Sequence, residues 1–284
     1  MSDKPQEIRY TPAGTGSTLS AIIRSLLDNF IASNNLGYRL ATRNIRARYR
    51  QSFLGIFWLF LPPIATSFIW IFLNKTRVVT FADTGSNYAV FVIIGTTMWQ
   101  VFAGSLLAPI QGVNSAKSIL TKINFPREAI LFSSFYEVVL NSLVGLGIVT
   151  ITLVISGTFS FTTYLHLLPA FLTLIVIGIM CGLFLLPFTL LFQDIQFALP
   201  MLLTFAMYLT PVVYPRPVFS GVDWLFNYNP VGIIIQTARK AVLAESFSVP
   251  WNVLVISGGS ILLLIAGVVI FKILMEIVIE RMGS

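Results

Sequence analysis

A chain of 284 residues that is 56% hydrophobic and 10% charged, with a mean hydropathy of +0.85, has too little polar surface to be a water-soluble globule, whose charged share is about 25%. The net charge of +7 does not point to nucleic acid, because the basic residues gather beside apolar segments instead of along one soluble face. A single cysteine, Cys181, excludes both a disulfide framework and a thiolate metal cluster within the chain.

Residues 1–16, with Pro5, Pro12, Gly14 and Gly16 among polar side chains, read as a flexible tail. Leu19, Ile22, Ile23, Leu26, Leu27, Phe30 and Ile31 then recur at helical spacing, with Arg24 and Asp28 opposite, which predicts an amphipathic helix and not a span. Asn34, Asn35 and Gly37 interrupt it, and a second, basic helical stretch follows from Tyr38 to Arg50. Both stretches, within 17–52, are expected to lie flat in the cytoplasmic interface. Arg43, Arg46, Arg48 and Arg50 run directly into the apolar Phe53–Pro63, and an arginine cluster at that boundary places the start of the first span on the cytoplasmic side. No compact apolar core with a cleavage site comes before it, so this first span is the expected insertion signal.

Six segments are apolar over enough residues to cross about 30 Å of hydrocarbon, near 53–73, 88–108, 129–155, 165–192, 197–214 and 252–275. The expected fold is therefore an all-α integral membrane protein whose transmembrane domain occupies 53–284, with an inner loop at 113–128. Pro62-Pro63 is expected to bend the first span. An even number of crossings that begins inside also ends inside, which puts both termini in the cytoplasm. Of the eighteen Lys and Arg residues, thirteen fall on the inner side of this topology and five (Lys75, Arg77, Arg216, Arg239 and Lys240) on the outer side, as the positive-inside rule requires.

The segment 215–251, between the fifth and sixth spans, is too long for a turn and too apolar for a free loop. Asn229-Pro230 offers a helix start, with Asn as N-cap and Pro at the first helical position. Val231, Ile234, Ile235, Ala238 and Val242 form one stripe of that helix, with Gln236, Arg239 and Lys240 opposite. A pair of short re-entrant helices in the outer leaflet is predicted over 217–243, the first somewhere in 217–226.

Chemistry-bearing motifs are few. No G-x-x-x-x-G-K-[ST] phosphate loop, metal-ligand cluster, nucleophile elbow or catalytically spaced carboxylate pair is present, so no catalytic residue, resident cofactor or metal is assigned. His166 lies at an outer boundary with no acid near it in sequence. Glu137 is the acidic residue placed well inside a span, with Asn141 one turn on. It reads either as part of a polar conduit or as a paired structural carboxyl between helices. Tyr49, Phe53, Phe57, Phe60, Phe68 and Phe72 fall close to one face of the first span, with Ile64 filling the gap. Phe205, Tyr208 and Tyr214 on the fifth span could form a facing wall. Such a face can stack on sugar rings without trapping them, or it can simply meet lipid or another helix. In the inner loop, Ile119, Leu120, Ile123 and Phe125 are too apolar to be left in water, which favours docking to a cytoplasmic protein.

The combination Arg48-Tyr49-Arg50-x-Ser52-x-Leu54-Gly55-x-x-Trp58, Ile123-Asn-Phe-Pro-Arg-Glu128, Leu209-Thr-Pro-Val-Val-Tyr214 and Asn229-Pro230 before a helix bearing Arg239 resembles the membrane subunits of polysaccharide-exporting ABC transporters, the O-antigen (Wzm-like), capsule and teichoic-acid exporter permeases. The resemblance runs from about residue 36 over nearly the whole chain, with Gln193-Asp194 standing where relatives usually carry Arg-Asp. It implies an inner-membrane homodimer of six-span subunits that encloses a channel for a lipid-linked polysaccharide. ATP and Mg would be handled by two copies of a separate ATPase subunit. It further implies that Lys117, Lys122, Phe125, Pro126, Arg127 and Glu128 couple to that ATPase, that Asn229, Pro230 and Arg239 belong to an outer gate, and that the aromatic residues with Glu137 line the passage. An ABC-type drug or small-lipid exporter has the same fold. A proton- or sodium-driven carrier would want more intramembrane ionisable groups and internal repeats. A membrane-embedded transferase would want an acidic cluster, whereas Asp83, Asp223 and Glu245 are scattered on different loops.

Overall fold

The computed structural model describes residues 30–79, 87–120, 126–215, 223–243 and 250–283, and these residues form helices and connecting turns only. The tail, most of the first amphipathic helix, Lys122 and Phe125 lie outside the described residues. In chain order the helices are α1 (Phe30–Tyr49), α2 (Leu61–Lys75), α3 (Tyr88–Leu120), α4 (Glu128–Ile155), α5 (Phe161–Leu191), α6 (Gln193–Leu209), α7 (Asp223–Tyr228), α8 (Pro230–Leu243) and α9 (Trp251–Gly283).

Four of them contain stretches long and apolar enough to cross a membrane: Tyr88–Lys117, Glu128–Ile155, Tyr164–Leu191 and Trp251–Met275. Two of the six expected spans are shorter. α2 has 15 residues and α6 has 17, or about 22 and 26 Å at about 1.5 Å per residue. The reason lies in proline. Pro62 and Pro63 occupy the first turn of α2, where a missing N–H leaves no orphan bond, so the expected bend is instead a break. Before it, Gly55–Leu59 forms a 3-10 turn that opens on Gly55 at φ +53°, a conformation only glycine adopts cheaply. At the other site Thr210 is extended, as a residue before proline prefers, and α6 stops one residue earlier, at Leu209. α5 and α6 are separated by Phe192 alone, in an extended conformation, and Asp194 in the first turn of α6 is favourably placed against the helix dipole.

α3 is the central helix and is packed by α2, α4, α5 and α8. It continues to Leu120, so Asn114–Leu120, expected as part of a separate loop element, prolongs the helix. The α3–α5 seam is made close by Gly178 and Gly182, four apart on one face. A Cβ on Gly178 would lie 2.7 Å from the Phe102 carbonyl oxygen, and one on Gly182 would lie 2.7 Å from Pro109 Cγ. Small residues of this kind let backbones approach where lipid supplies no hydrophobic drive between helices. Hydroxyl pairs join other helices: Ser67 with Thr96, buried between α2 and α3 at 2.7 Å, and Thr173 with Ser257, half-buried between α5 and α9 at 3.1 Å.

Candidate functional site

Irregular backbone at membrane depth must be satisfied from within the protein. The break after α6 puts Thr210, Val212 and Val213 in full burial. Arg239, from α8, is 4% exposed and reaches into this break: Nε donates to the Phe91 carbonyl at 3.1 Å, one terminal nitrogen to the Pro211 carbonyl at 2.8 Å, and the other to the Val212 carbonyl. Its guanidinium carbon lies 3.6 Å from the Phe91 ring centroid, a cation–π contact. The Tyr88 hydroxyl donates to the next carbonyl, that of Val213, at 3.0 Å. Gly95 supplies the space, since a Cβ there would collide with the guanidinium and with the Val212 oxygen. The sequence reading put Arg239 on the polar face of its helix. Here the residue is interior, because a planar five-donor fork fits several carbonyls that no water can reach. Asn229 caps α8 as expected, its Oδ1 accepting from the Gly232 N–H at 3.1 Å, and its Nδ2 donates to Thr210 Oγ1 at 2.9 Å. Val231, Ile234, Ile235, Ala238 and Val242 form the buried stripe, and Lys240 is exposed.

α1 is docked along α4. Phe30 meets Phe132 edge-on at 5.1 Å, Tyr38 meets Tyr136 at 5.4 Å, and the Tyr136 hydroxyl donates to Asn34 Oδ1 at 2.8 Å. Glu137 accepts from Arg48 at 2.9 Å and from Asn44 Nδ2 at 3.1 Å. Of the two readings open in the sequence, the paired carboxyl between helices is the one observed. Glu128 pairs with Lys272 of α9 at 2.9 Å, so it braces two helices instead of projecting outward. Pro126 is buried, Arg127 and Lys117 are half-buried, and the chain between 121 and 125 is outside the described residues.

The aromatic residues divide into two groups. Residues 50–54 are irregular and Gly55 turns the chain, so Tyr49 and Phe53 do not share a helical register with Phe68. On the 3-10 turn, Phe57 and Phe60 are three apart and come together at 6.2 Å. On α2, Phe68 and Phe72 stack at 6.4 Å, and Trp70 meets Tyr208 of α6 at 6.1 Å. Phe53, Phe57, Phe68, Phe72, Phe205 and Tyr208 are all exposed, and the half-buried Tyr214 donates its hydroxyl to the Tyr208 carbonyl at 2.6 Å. The chain's own helices thus leave a broad, uncharged aromatic surface on α2 and α6 uncovered.

Behind the 3-10 turn, a cavity of about 190 Å³ opens between α2, α3 and α4. Gln100 and Ser142 on its wall drew no attention in the sequence, because isolated neutral polar residues inside apolar runs carry no motif. In the sequence Asn141 stands out only as a neighbour of Glu137. Among the described residues, no three His, Cys, Asp or Glu side chains gather as a metal site, and His166 donates from Nδ1 to the Thr162 carbonyl at 2.7 Å.

Comparison with known proteins gives a consistent answer. The family model described as ABC-2 type transporter matches residues 36–243. An O-antigen export system permease protein RfbA of Myxococcus xanthus is 25% identical over 210 residues, covering 72% of this chain and 79% of the relative. Two proteins of the same description from Klebsiella pneumoniae are 25% identical over 251 residues and 23% identical over 247, each match covering 84% of this chain and 93% of the relative.

Proposed function

The chain belongs to the ABC-2 type transporter family, and on that premise we propose that it is the channel-forming permease subunit of an ATP-driven exporter that carries a lipid-linked polysaccharide out across the cytoplasmic membrane. The observation that carries the cargo assignment is the uncovered aromatic surface of α2 and α6. It is long, uncharged and stackable, and so suited to a polymer that must slide. The names borne by relatives matched over 84% of the chain support the same cargo.

In this reading two copies of the chain face each other across their aromatic surfaces. Each subunit has six crossings, with α2, lengthened by the turn before it, and α6 completing the set, and both termini lie in the cytoplasm. α7 and α8 are the re-entrant outer pair. Because Arg239 pins α8 to α3 and to the break after α6, the moving part of the outer gate is α7, with Asn229-Pro230 at its boundary. ATP and Mg belong to a separate ATPase subunit that docks below residues 117–128. Lys117, Lys122, Phe125, Pro126 and Arg127 receive its movement, and the Glu128–Lys272 pair passes it on to α9. ATP can drive the change only by binding the partner's two states differently, and the response here is rigid-body displacement of packed helices.

The test is reconstitution of the purified chain with its ATPase in vesicles supplied with the lipid-linked polymer. Export should require ATP, the partner and two copies of the chain. Transport by a monomer, or without a nucleotide-hydrolysing partner, would overturn the assignment. Replacing Phe125 and Arg127 together should leave ATP hydrolysis running without export.

A further inference from the structure

The cavity between α2, α3 and α4 is chemically unlike the surfaces around it. Gln100 lies near the middle of the Tyr88–Lys117 span and Asn141 near the middle of Glu128–Ile155, and both line the cavity. Neither carboxamide has a hydrogen-bond partner among the described residues, although the hydroxyls of Ser105 and Ser142 on the same wall bond to carbonyls of their own helices. Thr97 is 1% exposed and lines the same space, and its hydroxyl has no partner either. Gln100 is half-buried and Asn141 exposed, so both carboxamides stay accessible to a ligand, and neutral polar groups left unpaired at bilayer depth are costly enough to mark a ligand path. No charged side chain lines the cavity. Trp58 and the prolines of α2 form its apolar wall.

We propose that this cavity is a binding subsite for one neutral sugar ring of the passing polymer, with Gln100 and Asn141 bonding to ring hydroxyls and Trp58 stacking on the apolar face. The inference rests on the exporter reading above. Carboxamides both donate and accept, as vicinal hydroxyls do, and an indole presents a flat face to C–H groups. The volume of about 190 Å³ admits the ring itself, with its substituents directed to the cavity mouth, since a cavity of about 150 Å³ holds a benzene molecule. An anionic headgroup is a poor fit because nothing cationic faces the space.

Gly104 offers a reporter, because it lines the cavity and a Cβ built on it meets no atom within 4 Å. In a Cys181→Ala background, Gly104→Cys in the reconstituted permease–ATPase complex is treated with a cationic methanethiosulfonate reagent, first without polymer and then with lipid-linked polymer stalled in transit by a non-hydrolysable ATP analogue. The expected result is labelling in the first state and its loss in the second. Gln100→Leu and Asn141→Leu should each slow export about fivefold, the value of one hydrogen bond. Equal labelling in both states, which a chamber holding only water would give, overturns the subsite. So does absence of labelling in both states, as when lipid or a second copy fills the space. Failure of the complex to export any polymer would instead sink the exporter reading itself.

Discussion

Replacing Arg239 by methionine keeps much of the side-chain volume and removes the fork. Two buried carbonyls, those of Pro211 and Val212, lose their donor together, the Phe91 carbonyl keeps only its bond within α3, and the Phe91 ring loses its cation. Each orphaned carbonyl costs about 1–3 kcal/mol, so even the low end gives a destabilisation of about 2 kcal/mol. At about 2–4 °C per kcal/mol, the apparent melting temperature of the detergent-solubilised protein should fall by about 4–8 °C. Limited proteolysis should find residues 210–215 newly open, since that segment is held shut by the same bonds. Arg239→Lys should recover only part of the loss, because a single ammonium cannot present a planar fork to several acceptors. A methionine variant that melts within about 2 °C of the parent, with the break still protected, would refute the clamp.

Other expectations follow from the same geometry. Gly95→Ala should mimic loss of Arg239 by displacing the guanidinium, and the double variant should cost little more than either single one, which a double-mutant cycle on melting temperature would detect. The Arg48–Glu137 pair should couple by no more than about 1 kcal/mol, because the Arg48 side chain is half exposed; a cycle giving several kcal/mol would show a tighter site than the distances describe. At the α3–α5 seam, Gly182→Leu should abolish a monodisperse folded species on size exclusion, whereas Gly147→Ala, where a Cβ meets no atom within 4 Å, should be neutral or slightly stabilising.

What could be read from sequence was what a helix carries in its own period. The long apolar runs of α3, α4, α5 and α9 declare themselves, and Asn229-Pro230 announces both its cap and its first turn. Proline is more ambiguous: Pro62-Pro63 can bend a span or begin one, and only the 3-10 turn before it decides. Arg239 could not be placed by periodicity, since it flanks the apolar stripe of α8, one turn after Ile235, where the pattern is compatible with burial or exposure. Its burial is set by carbonyls exposed where Thr210-Pro211 breaks another helix, and by the space at Gly95 on a third. Glu137 likewise meets an arginine 89 residues away, a pairing that no local pattern encodes.

The clamp also dictates an order of manufacture. Phe91 and Arg239 are 148 residues apart, and Pro211 and Val212 leave the ribosome well before the guanidinium that will bind them. Until α8 emerges, the corner after α6 has no means of sealing itself against hydrocarbon. A nascent chain truncated before residue 239 would therefore carry an unfinished corner, its Pro211 and Val212 carbonyls still without the donors that make burial tolerable.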